Sequence, residues 1–116
     1  MSEIIIYHNP RCSKSRQTLS LLQDKGIEPT VVEYLKETPS ASELKAVISK
    51  LGILPRALLR TKEADYKEQD LKNDSLSDDD IIKAMVSYPK LIERPIVING
   101  NDARIGRPPE QVLEIL

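Results

Sequence analysis

The sequence predicts a single α/β domain, residues 1–116, on a mixed sheet of about four strands, with a helical region inserted between the second and third. Three observations predict it. A strand, a helix and a second strand follow one another within about thirty residues, the length of a βαβ unit. Near the end, two apolar runs flank Asn99-Gly100, a hairpin signal, and a last helix follows. Between these blocks stand two capping boxes and a long polar stretch, which mark helices rather than strands.

Ile4-Ile5-Ile6-Tyr7 is a short apolar run rich in β-branched residues and reads as a fully buried strand. The spacing predicts a helix from Arg16 to Lys25, with Leu19 and Leu22 on one face and Gly26 as its stop. Thr30 to Tyr34 is the second strand, joined to the first by a right-handed crossover. Ser40-Ala41-Ser42-Glu43 is a capping box. Leu44, Val47, Ile48 and Leu51 follow at helical spacing up to Gly52. Pro55 to Leu59 reads as a short helical turn that delivers Arg60. The charges of residues 61–76 read as a solvated helical insert. Ser77-Asp78-Asp79-Asp80 is a second capping box, its acids suited to a helix N-terminus rather than to a metal. Ile81, Ile82, Met85 and Val86 form the apolar face of that helix. After the hairpin, Pro108 and Pro109 fit a helix start, with Val112, Leu113 and Leu116 facing inward.

Composition narrows the class. With 40% hydrophobic and 30% charged residues, the chain is that of a globular protein. It has no Phe or Trp, so Ile, Leu and Val must build the core. A net charge of −1 gives no basic field for nucleic acid. No apolar run approaches a membrane span. Met1-Ser2-Glu3 lacks a basic region and a short apolar run follows, so no signal peptide is expected. One cysteine excludes an intramolecular disulfide and fits a reducing compartment; the cytoplasm is the expected location.

The chemistry concentrates in the stretch from His8 to Arg16, which holds the single histidine and the single cysteine. A strand entering a tight loop that opens a helix places Cys12 where first-turn N–H groups favour an anion. A thiolate is such an anion, and it is the nucleophile. His8, four residues earlier, is a plausible proton partner. Four arginines stand at the ends of elements: Arg16 at the first helix, Arg60 after Leu58-Leu59, and Arg94 and Arg107 each before a proline. Arginine forks bind oxyanions in bidentate fashion, so Arg60, Arg94 and Arg107 gathered on Cys12 would make a polycationic thiolate pocket. Pro95, opening a strand, is a candidate cis residue. A cysteine phosphatase needs an arginine six places after its cysteine, where this chain has Thr18. A dithiol site needs Cys-x-x-Cys, and Ser15 occupies the second position, so any redox cycle must borrow an outside thiol.

His8-Asn9-Pro10, Cys12, Ser15-Arg16, Arg60, Arg94-Pro95 and Arg107-Pro108 together resemble the glutaredoxin- and glutathione-linked arsenate reductase (ArsC) family. The resemblance runs from Ile4 to Leu116. The basic loop Arg11-Cys12-Ser13-Lys14 resembles a short subgroup; longer members carry a further C-terminal tail. The resemblance implies a thioredoxin-like (glutaredoxin-like) three-layer fold with a mixed four-stranded sheet, an inserted helical region and a cis Pro95. It implies that Cys12 attacks arsenate and that Arg60, Arg94 and Arg107 bind the oxyanion and acidify the thiol. Arg16 joins the oxyanion set, His8 assists, and Ser15 hydrogen-bonds the thiolate. Glutathione then resolves the adduct as co-substrate, glutaredoxin reduces the mixed disulfide and arsenite leaves; no bound cofactor or metal is implied. The family also contains regulators that bind RNA polymerase and sense oxidation through Cys-x-x-Cys. The alternative is therefore a non-catalytic redox or anion sensor that binds a partner protein.

Overall fold

The computed structural model describes residues 4–116; Met1-Ser2-Glu3, read above for a leader, lies outside them. The chain forms two compact units. The first comprises the chain up to Glu37 together with Arg94–Leu116, and the second is Thr38–Glu93.

The first unit holds strand β1 (Ile4–Tyr7), helix α1 (Ser13–Asp24), strand β2 (Thr30–Val32), and strands β3 (Ile96–Asn99) and β4 (Asp102–Ile105). A 3-10 run, Pro109–Ile115, closes it. The sheet order is β2-β1-β3-β4, with β1 parallel to β2 and antiparallel to β3. This mixed sheet, with β1 in its centre, is the thioredoxin-like arrangement expected. Ile6 pairs across the strands with Val97, so their side chains share a face. Leu22 of α1 and Val112 and Ile115 of the 3-10 run complete a buried cluster there, edged by Ile4, Leu19, Leu21 and Ile27. Burying each such side chain contributes about 1.5–3 kcal/mol. Ile6 and Tyr7 are buried, whereas Ile4 and Ile5 are only half-buried, so full burial holds for the second half of β1.

Several boundaries differ from expectation. Helix α1 starts at Ser13, not Arg16, because the polar first turn carries no apolar periodicity to announce it. Strand β2 stops at Val32, since the carbonyl of Glu33 accepts from the N–H groups of Lys36 and Glu37 in a turn. The hairpin pairs Asn99 with Asp102 and leaves Gly100-Asn101 as its loop. Gly100 has φ +62 and Asn101 is not positive, the pattern of a II′ turn with glycine first. The last segment is 3-10, not α. Three residues per turn bring Pro109, Val112 and Ile115 inward, while Leu113 and Leu116, expected inside, are exposed.

The second unit is the inserted helical region: α2 (Ala41–Leu51), α3 (Ala64–Glu68) and α4 (Asp78–Ser87), with 3-10 turns at Pro55–Leu58 and Pro89–Leu91. Both capping boxes are formed, Ser40 with Glu43 and Ser77 with Asp80. Gly52 ends α2 in the left-handed region, φ +69. Leu44, Val47 and Ile48 of α2 and Ile81, Ile82 and Met85 of α4 are buried together with Leu58 and Leu91. Within residues 61–76 only α3 is helical, and it buries no residue. Beyond it, Leu71 is buried, and the Arg56 guanidinium donates to the carbonyls of Leu71 (2.7 Å) and Asn73 (2.5 Å). An isolated bridge pairs Leu59 with Ile92, and the N–H of Arg60 donates to the carbonyl of Leu91.

Candidate active site

The loop between β1 and α1 is wound around Asn9. Its carbonyl accepts from the N–H of Cys12 (3.0 Å) and its Oδ1 from the N–H of Arg11 (3.0 Å). Its own N–H donates to Ser15 Oγ (3.0 Å). An Asx turn of this kind needs only the short Asn side chain, and the following proline presets the backbone. Cys12 is the N-cap of α1, extended at φ −94, ψ 123, and offers the first turn a sulfur in place of the hydroxyl or carboxylate oxygen of an ordinary cap. No acidic residue stands in the first turn.

That arrangement leaves first-turn donors for the sulfur. Partial burial pushes the Cys12 thiol up. Against it act the N–H of Ser15, the hydrogen bond and charge of the Arg94 guanidinium, and the N–H of Lys14, and the balance lowers the pKa below the ordinary thiol value. Arg107 Nη2 lies 3.7 Å from Cys12 Sγ, while its Nε donates to the Arg94 carbonyl (2.7 Å). The structure thus brings Arg94 and Arg107 to Cys12. Both precede prolines in cis peptide bonds, Arg94–Pro95 and Arg107–Pro108; the sequence offered only the first as a candidate.

His8 and Ser15 are buried, with His8 Nδ1 and Ser15 Oγ 2.6 Å apart. Burial lowers the His8 pKa; Glu33 raises it and Arg16 lowers it, and the balance is downward. A neutral ring follows at pH 7. The expectation that Ser15 hydrogen-bonds the thiolate needs restating: its hydroxyl is engaged by His8 and Asn9, and its backbone N–H meets the sulfur. Arg16, expected on the oxyanion, extends its Nη1 to the Pro10 carbonyl (3.1 Å) and ties the loop to the helix. Arg60 stands in the second unit, within ion-pair distance of Glu63 (3.7 Å) and Glu93 (4.0 Å).

Two supporting residues were given no role by the sequence, although Asn9 stood in the motif. Asn9 is one; its signal was an Asn-Pro pair three residues ahead of a candidate nucleophile. Gly106 is the other. A Cβ there would sit 2.6 Å from Thr18 Oγ1 and 2.8 Å from Pro95 Cγ, and the Gly106 N–H donates to the Pro95 carbonyl. Thr18, where a cysteine phosphatase would have its arginine, is buried and bonded to the Lys14 carbonyl (2.8 Å). Chemically, the site is an acidified thiol with two guanidinium groups beside it, its thiolate form fit to attack an electrophile that carries oxyanion charge. Among the described residues no group of three or more His, Cys, Asp or Glu could hold a metal, and no helix is long and apolar enough to cross a membrane.

Comparison with known proteins agrees with the fold. The model of the ArsC family matches residues 7–115. The chain is 55% identical over 115 residues to the uncharacterized protein YfgD of Escherichia coli K12, covering 98% of this chain and 97% of that one. It is 54% identical over 114 residues to an arsenate reductase of Haemophilus influenzae, covering 97% and 98% of the two chains. A solved arsenate reductase from Vibrio cholerae superposes with a TM-score of 0.97 at 55% identity, over 99% of this chain and 98% of that one.

Proposed function

The chain belongs to the ArsC family, and on that premise we propose that it is an arsenate reductase whose nucleophile is Cys12. The observation that carries the proposal is the sulfur's surroundings: helix N–H donors, Arg94, and Arg107 Nη2 at 3.7 Å. The thiolate attacks arsenic and forms a thioarsenate ester, an arsenate oxygen leaving as water once protonated. Arg94 and Arg107 hold the remaining oxygens and offset the charge that develops on them. Neutral His8, bonded to buried Ser15, assists by keeping the loop in place beside the sulfur. The part given to Arg60 rests on the sequence motif.

The chain has one cysteine, so it cannot close its own disulfide. In this reading glutathione attacks the adduct, the electron pair of the sulfur–arsenic bond stays on arsenic, and arsenite leaves. The two sulfurs remain as a mixed disulfide on Cys12, which glutaredoxin reduces. The cycle needs a reducing compartment, which makes the cytoplasm the proposed location.

The test is an arsenate-reduction assay with glutathione and glutaredoxin, run beside Cys12→Ser. Turnover in the intact protein, reduced by several orders of magnitude in the variant, is the expected outcome. No turnover in a protein whose thiol still titrates low would overturn the enzyme and favour a thiol-based sensor.

A further inference from the structure

Beside the catalytic loop the first unit carries a cavity of about 200 Å³ that attack on arsenate does not use. It is lined by His8, Pro10, Arg11, Glu33, Leu35 and Lys36 among others. Pro10 and Leu35 supply apolar surface. Glu33 and Lys36 stand 3.9 Å apart, an exposed and weak pairing that a ligand can replace. The Arg11 backbone is held by Asn9, while no protein acceptor for its guanidinium is found among the described residues. His8 Nδ1 is engaged by Ser15, which leaves Nε2 as the ring nitrogen for the cavity.

Two cations, one carboxylate and a neutral imidazole beside apolar surface complement a group that carries both signs at one end. An α-amino acid head, ammonium and carboxylate on one carbon, has that pattern. The lining residues also run directly into Cys12, whose N–H is bonded to the Asn9 carbonyl. We propose that this cavity binds the γ-glutamyl end of glutathione, with its ammonium on Glu33 and its α-carboxylate on Arg11 and Lys36, and so delivers the tripeptide's thiol to Cys12. The inference rests on the thiol-dependent reading above and names the place where that thiol is held.

Its test uses no arsenate. In the full-length protein Cys12 is converted to the mixed disulfide with 5-thio-2-nitrobenzoate. An added thiolate breaks that S–S bond, takes its place on Cys12 and releases the coloured thionitrobenzoate anion. Rates are measured for glutathione and for cysteinylglycine, which lacks the γ-glutamyl group. Each rate is taken per thiolate and relative to 2-mercaptoethanol, so that altered Cys12 reactivity cancels. The expected result is a preference for glutathione over cysteinylglycine of roughly three- to tenfold, lost in Arg11→Gln and in Glu33→Gln. Glu33→Gln is decisive, because glutathione is a net anion. General electrostatic attraction would make its relative rate rise when a carboxylate is removed, whereas the proposed site makes it fall. A rise, or no preference in the intact protein, overturns the cavity. Arsenate turnover without this preference removes the cavity and keeps the enzyme; the preference without arsenate turnover removes the enzyme and keeps the cavity.

Discussion

Helices α1 and α4 begin in opposite ways. At α4 the Ser77 hydroxyl accepts from the N–H of Asp80, and the Asp80 carboxylate accepts from the N–H of Ser77. Three aspartates stand in that first turn, and α2 repeats the pattern with Ser40 and Glu43. In these helices the box meets the N3 donor and the N-cap N–H with the helix's own side chains, which stabilises the helix, and the first-turn acids disfavour a further anion there. Helix α1 has a cysteine for its N-cap, no side-chain cap and no acid in its first turn. Its donors face a sulfur, and the positive end of the helix is reinforced by arginines rather than neutralised by aspartates. The same orphan groups are thus a stability device at one helix and an acidifying device at another.

Substitutions at four positions test that contrast, in descending order of expected effect. Arg94→Lys keeps a charge near the sulfur but loses the planar fork, so kcat/KM for arsenate should fall about ten- to hundred-fold. An unchanged kcat/KM would remove Arg94 from the oxyanion site. Arg94→Ala should in addition raise the Cys12 pKa, read as the inflection of alkylation rate against pH. Next, Ser40→Ala removes a cap that serves only its helix. Urea denaturation should show a loss of about 1 kcal/mol, with the alkylation profile of Cys12 unmoved. Third, Lys14→Glu gives α1 the acidic first turn that α2 and α4 have. It should raise the Cys12 pKa and slow alkylation at neutral pH by roughly two- to fivefold; a faster reaction would contradict the acidifying role of this terminus.

The smallest effect concerns pH. The Asp80 pKa is lowered, chiefly by the Ser77 N–H and hydroxyl. A carboxylate depressed in the folded state stabilises it above the ordinary carboxylate pKa, and that contribution fades as pH falls through the folded value. Stability of the natural protein should therefore decline more steeply on the acid side than that of Asp80→Asn. Parallel acid limbs would mean that the capping box contributes nothing measurable.

Much of this was legible because the signals are local. A capping box spans four residues, a C′ glycine answers to one φ angle, and a βαβ unit follows from strand, helix and strand in short order. Each was readable at Ser40, Ser77, Gly26 and Gly52 without knowing what they pack against. The site was legible as a loop, since Cys12 and its polar neighbours lie within a few residues. Other features depend on residues far apart in the chain. The 3-10 winding that turns Val112 and Ile115 inward, and leaves Leu113 and Leu116 outside, is set by packing against Ile6, Leu22 and Val97. Side-chain spacing at 112, 113 and 116 fits an α-helix equally well, so the sequence pattern could not choose. The Ser15 hydroxyl bonds to His8 and Asn9 because an unpaired polar atom is costly once buried, and burial is a property of the assembled unit. Arg107 meets a sulfur 95 residues away along the chain. Charge and a following proline marked it as a candidate, but the pairing of β1 with β3 and β3 with β4, and the narrow passage at Gly106 beside Thr18 and Pro95, are what carry its guanidinium to Cys12.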